Sequence, residues 1–151
     1  MLIFIIGYMG SGKSTFGRKL AAQLDYRFED LDEKFCPITG FSIASFFDKF
    51  GENAFREKER EILVNFIENG GNVVIATGGG TPCYLDNMDL MNNAGITVFL
   101  DVPVDILSKR LAESKGDRPL LGNVPPDGLK DFISQHLQSR MMFYLKAKVR
   151  I

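Results

Sequence analysis

The sequence predicts an α/β fold, a parallel β-sheet with helices packed on both faces. Three observations carry this reading. The apolar runs at 2–6, 72–77 and 96–101 have the length of buried strands. Between them lie stretches with apolar residues at helical spacing, and strands alternating with helices form a parallel sheet covered on both sides. The first run also passes straight into a glycine-rich turn that opens a helix. At 151 residues the chain is expected to be a single domain, 1–151, long enough to bury most of its unfolded surface.

Leu2-Ile3-Phe4-Ile5-Ile6 is the first strand. A helix follows from about Lys13 to Leu24, with Phe16, Leu20, Ala21 and Leu24 at helical spacing. Tyr26-Arg27-Phe28-Glu29-Asp30 alternates and reads as a short strand ending in carboxylates. Ile43, Phe46, Phe47 and Phe50 mark a short amphipathic helix closed by Gly51, and another covers about Glu52 to Asn69 before Gly70-Gly71. Asn72 to Thr77 is a buried strand running into Gly78-Gly79-Gly80. A helix near Asp86 to Asn93 precedes the strand Ile96 to Asp101, and Pro103 opens the next helix, through about Ser114. The stretch Gly116 to Gly128, rich in proline and glycine, reads as a mobile loop. A polar helix from about Asp127 to Lys146 and a few extended residues follow, and the many phenylalanines read as core.

Ligands of such sheets sit at the carboxyl ends of the strands. Those ends carry residues 7–14, Asp30 with Asp32, Gly78–Gly80 and Asp101, and the first three groups should line one crevice. Residues 7–14 read Gly-Tyr-Met-Gly-Ser-Gly-Lys-Ser, a complete GxxxxGK[ST] pattern between strand and helix. Backbone N–H groups around Gly10, Ser11 and Gly12 and the first turn beyond, with Thr15, can converge on phosphate at the positive end of the helix dipole. Lys13 adds a cation for the β- and γ-phosphates, and the Ser14 hydroxyl is a ligand for Mg²⁺. The implied ligand is a nucleoside triphosphate.

A net charge of −1 gives no reason to expect nucleic acid or an acidic membrane as a partner. No apolar run approaches the ~20 residues of a membrane span. The N-terminus shows no signal-peptide pattern, and Cys36 and Cys83 are too few for a disulfide framework or zinc site, so reduced thiols in a cytoplasmic protein are expected. A GTP-binding switch would need an Asn-Lys-x-Asp element, which does not occur, and a large ATPase motor would need more chain. The small-metabolite and nucleotide kinases remain, in which a lid closes on the phosphates.

Within that class the chain resembles the shikimate kinase family. The matching pieces are residues 7–21, Phe-Glu-Asp-Leu-Asp (28–32), Gly-Glu-Asn-Ala-Phe-Arg-Glu-Lys-Glu (51–59), Thr-Gly-Gly-Gly (77–80), Arg-Pro-Leu-Leu (118–121) and Arg140 with Tyr144. The resemblance implies a three-layer P-loop kinase sandwich with substrate-binding helices over about 32–60 and a mobile lid over about 115–127. It implies ATP-dependent phosphorylation of shikimate, a step toward chorismate and the aromatic amino acids, by a monomer. Asp30 would belong to the Mg²⁺ water shell and Asp32 would bind the attacking hydroxyl. A carboxylate there can orient that hydroxyl and take its proton late. Arg56 and Arg140 would clamp the substrate carboxylate, a good match for planar guanidinium groups, with Glu59 holding them by ion pairing. Gly78, Gly79 and Gly80 would lie against the substrate ring, Arg118 would reach the transferring phosphoryl group, and Arg110 would stack on adenine.

Met142 stands where the family usually has proline, and the family's last strand and helix, with the loop that covers adenine, are expected to be missing after Ile151. His136, the sole histidine, lies on a polar helix far from any motif and is expected at the surface. A related kinase acting on gluconate and a nucleotide-binding module without turnover are the competing readings. Intact Asp32, Arg56, Arg118 and Arg140 argue against the module.

Overall fold

The computed structural model describes residues 1–114 and 124–151. Its strands are β1 (Leu2–Ile6), β2 (Arg27–Asp30), β3 (Val73–Ala76), β4 (Gly95–Phe99) and β5 (Val149–Arg150), in the order β2-β3-β1-β4-β5 with every neighbouring pair parallel. The helices are α1 (Lys13–Leu24), α2 (Leu31–Thr39), α3 (Ile43–Asn69), α4 (Asn87–Ala94), α5 (Val104–Glu113) and α6 (Leu129–Tyr144). This is the predicted α/β class, a parallel sheet with helices on both faces.

The pleat of β1 divides the interior. Leu2, Phe4 and Ile6 enter the larger core with Phe35, Leu63, Met88, Leu107 and Ile133, which come from α2 through α6. Ile3 and Ile5 point the other way, to Ala21, Val74, Val98 and Leu100 under Phe16 and Leu20 of α1. Register then sets the site. Ala76 pairs with both Ile5 and Asp30, so the carboxyl ends of β1, β2 and β3 finish level with one another. The chain leaves that edge at Gly7, Leu31 and Thr77, and the candidate functional groups follow.

Two differences from the sequence reading have clear causes. Periodicity places no element of its own between residues 31 and 42, yet α2 occupies Leu31–Thr39. Pro37 and the short length obscure it, while Asp30 starts it by accepting hydrogen bonds from the N–H groups of Asp32 (2.9 Å) and Glu33 (3.3 Å). The two helices predicted on either side of Gly51 meet without an intervening loop. Gly51, at φ 87° and ψ 174°, is a kink inside α3. Phe50 departs from the expected core, being 47% exposed at the edge of a ring cluster with Phe41 and Phe46. Among the described residues no helix is long and apolar enough to cross a membrane.

Candidate active site

Two cavities open at the carboxyl edge of the sheet. The larger, about 740 Å³, is lined by Gly10 through Phe16, Asp30, Asp32, Thr77 and Arg110 among others. Gly12, immediately before α1, has φ 89°, a conformation that a side-chain-bearing residue adopts only with strain. The first turn of α1 lines the cleft. Lys13 Nζ donates to the carbonyls of Gly7 and Tyr8, both at 3.0 Å, which folds the cation back over its own loop. The Ser14 hydroxyl donates to Asp30 Oδ2, while Asp30 Oδ1 caps α2. Arg110 crosses from α5 to donate to the Gly10 carbonyl at 3.0 Å. Ser11, Gly12 and Thr15 also line this cleft, so the structure brings the predicted nucleotide-side residues together wherever it describes them. Arg118 and most of the predicted lid lie outside the described residues.

The smaller cavity, about 290 Å³, is lined by Glu52, Asn53, Arg56, Gly80, Cys83, Tyr84, His136, Ser139 and Arg140. Its walls come from α3, the turn after β3, and α6. Arg56 donates to Glu59 at 2.9 Å within α3, and Glu59 is almost wholly buried. Burial raises the Glu59 carboxyl above its ordinary value, opposed by the charge and hydrogen bond of Arg56. Arg140 is 7% exposed, and its Nη1 has no hydrogen-bond partner among the described residues. Its guanidinium lies 5.5 Å from the Tyr8 ring centroid. A buried guanidinium N–H without an acceptor is costly unless an anion arrives.

The triple glycine joins the two cavities. A Cβ on Gly78 would stand 2.6 Å from Glu59 Oε2 and 3.4 Å from Asp32 Oδ1. On Gly80 it would stand 2.3 Å from Arg56 Nη2. A side chain on Gly78 or Gly80 would therefore displace the Glu59 carboxylate or the Arg56 guanidinium. The Tyr144 hydroxyl, from the buried end of α6, donates to the Gly79 carbonyl at 2.6 Å and anchors this segment. Burial pushes that phenol well above its usual range against the opposing pull of Arg140.

His136 is not the surface residue expected. It is half-buried, lines the smaller cavity, and sits 2.8 Å from the Tyr8 hydroxyl through Nδ1. The available signal was its place four residues before Arg140, one helical turn away on the same face. Tyr8 carried no comparable signal, because only the fold brings residues 8 and 136 together. Burial, helped by Arg140 and Arg56, pushes the His136 imidazole down to about 4. Cys83, which also lines this cavity, is pushed up to about 11 chiefly by burial and stays a thiol.

The sequence profile of one family, shikimate kinase, matches residues 9–151. The chain belongs to the shikimate kinase family. A shikimate kinase of Phocaeicola vulgatus is 47% identical over 146 residues, covering 97% of this chain and 83% of that one. The crystal structure of the shikimate kinase from Bacteroides thetaiotaomicron superposes with a TM-score of 0.93 at 44% identity, covering 100% of this chain and 85% of that one. The shikimate kinase from Acinetobacter baumannii, solved in complex with shikimate, gives 0.91 at 33% identity over 99% and 82% of the two chains. These shikimate kinases carry the α/β architecture described above.

Proposed function

We propose that this protein transfers the γ-phosphoryl group of ATP to a hydroxyl of shikimate. One observation carries the reading beyond family membership: a phosphate-binding cleft meets, across Gly78–Gly80, a small cavity holding the buried and incompletely partnered Arg140 guanidinium. A carboxylate-bearing acceptor supplies what Arg140 lacks. Bound there, it would lie across the triple glycine from the phosphates.

In this reading the loop amides and Lys13 hold the triphosphate, and Lys13 turns from the Gly7 and Tyr8 carbonyls to the phosphate oxygens. Arg56 and Arg140 fix the acceptor carboxylate, with Glu59 holding Arg56 in place. Asp32, beside Gly78, accepts the hydrogen bond of the attacking hydroxyl, orients it and takes its proton late. Gly79 and Gly80 bring backbone against the ring. Ser14 and Asp30 suit Mg²⁺, which takes one or two protein oxygens and completes its shell with phosphate and water. Bound there, the ion would neutralise charge on the phosphate oxygens. Arg110 borders the nucleotide at the Gly10 carbonyl. Arg118 is assigned to the transferring phosphoryl group on the family resemblance, as is a lid over about 115–127 that excludes water. The whole is proposed to act as a single-domain cytoplasmic monomer on small molecules.

The test is a coupled ADP-release assay with Mg-ATP, comparing shikimate, gluconate and no acceptor. Release that depends on shikimate is expected. Equal release with gluconate would reassign the acceptor, and no dependence on any acceptor would leave a nucleotide-binding module.

A further inference from the structure

His136 and Tyr8 form a connection that the proposed reaction leaves without a role. Tyr8 belongs to the phosphate loop, and its ring is buried. The Tyr8 and His136 rings meet edge-on, 5.4 Å between centroids at 85°, with the hydroxyl 2.8 Å from Nδ1. Phe132 packs on the imidazole at 5.3 Å, and Arg140 lies over the other aromatic partner, Tyr8. The imidazole is thus held on one side by a phenol and on another by a phenyl ring, while it lines the cavity shared with Arg56 and Arg140.

We infer that His136 is a specificity-determining residue of the acceptor cavity, its Nδ1 accepting the Tyr8 hydroxyl and its Nε2–H donating to an oxygen of the bound acceptor. The inference rests on the kinase reading above and deepens it. A single neutral imidazole has one donor and one acceptor nitrogen, so a hydrogen bond from Tyr8 to Nδ1 fixes the proton on Nε2. Burial, and after it the neighbouring Arg140 and Arg56 guanidinium groups, oppose a second proton on the ring. The ring therefore presents a neutral, directional donor in a cavity that already holds two cations. Guanidinium groups alone attract any small carboxylate. A fixed neutral donor beside them favours an acceptor with a further oxygen at the matching position, because a ligand lacking it would cover the N–H without pairing it.

Because this chain has one histidine, the tautomer can be read directly. In ¹⁵N-edited NMR of the untagged protein, Nδ1 is expected at the unprotonated position and Nε2 at the protonated one, with the Nε2–H resonance moving on addition of shikimate. In parallel, His136→Leu is expected to raise the shikimate KM about 5- to 20-fold, as for one lost hydrogen bond in a buried site. It should alter kcat and the ATP KM less than twofold. His136→Gln, whose side-chain amide can return a donor near Nε2, should recover most of that loss, and Tyr8→Phe should fall between the two.

A proton on Nδ1, or a His136→Leu enzyme with unchanged shikimate KM, would overturn the inference while leaving shikimate-dependent ADP release intact. If the unsubstituted protein shows no shikimate-dependent release, the kinase reading fails and this inference fails with it.

Discussion

The two cavities at the edge of the sheet are built on different principles. In the larger, the residues proposed to contact phosphate come from one contiguous segment, Gly10 to Phe16, at the N-terminus of α1. In the smaller, side chains arrive from residues 52–56, 80–84 and 136–140, three separate elements. Phosphate chemistry is the same for every nucleotide, so a short local motif with fixed backbone dipoles suffices. Acceptor recognition depends on particular charges at particular places, and those must be gathered from distant parts of the chain. The first site should therefore fail through its local motif, and the second through positions that hold α3, α6 and the triple glycine together.

The largest expected effect tests the local site. Lys13→Ala should lower kcat by about 10³-fold or more, since a cation aimed at developing phosphoryl charge acts mainly in the transition state. An enzyme retaining a tenth of its kcat in the ADP-release assay would remove Lys13 from that role. Next, Arg140→Ala should raise the shikimate KM about 30- to 100-fold, the loss of a charged hydrogen bond of about 2–3 kcal/mol, while the ATP KM stays within twofold. Equal increases in both constants would mean that the cavities are not separate recognition sites.

Gly80→Ala sharpens the contrast, because it alters no functional side chain. The new Cβ would displace the Arg56 guanidinium, and the shikimate KM should rise about tenfold, near 1.4 kcal/mol. Tyr144→Phe, which removes the donor to the Gly79 carbonyl, should cost about 1 kcal/mol of stability and about 2–4 °C in Tm by thermal unfolding. An unchanged Tm would show that the triple glycine holds its conformation without that anchor.

The smallest effect is a pH dependence. The folded His136 sits near 4 against an ordinary 6.5, so between those values the unfolded chain binds the proton and the folded chain does not. Stability from this group is intact above about pH 6.5 and declines as pH falls toward 4. With the ring only half-buried, about 1 kcal/mol is at stake after allowance for solvent screening. Comparing Tm across this range for the natural chain and His136→Gln measures it, and parallel curves would dismiss the effect.

Much of this molecule was legible from local pattern. β1 and α1 match their predicted limits, Leu2–Ile6 and Lys13–Leu24, because an apolar run, a glycine turn and a helical stripe each act over a few residues. Gly51 marks the break in α3 for the same reason. The α2 helix was readable in principle, since Asp30 and Glu33 have the N-cap and third-position spacing of a capping box, but the same aspartate also suits a metal shell. Arg56, Glu59, Arg140 and Gly78–Gly80 were recognisable as one substrate-binding group by resemblance, though nothing local along the chain brings them together.

What the sequence determined by itself was therefore whatever depends on neighbours along the chain: the alternation of strand and helix, the phosphate loop, and the glycine positions that admit close approach. What only the tertiary structure decided was which distant groups share one small volume. The Tyr8–His136 contact spans 128 residues, and Tyr144 reaches Gly79 across 65. The register of a parallel sheet and the packing of α3 and α6 against it set both contacts, and those are properties of the assembled core. The environment that depresses His136 and raises Glu59 exists only once that core has excluded water around them.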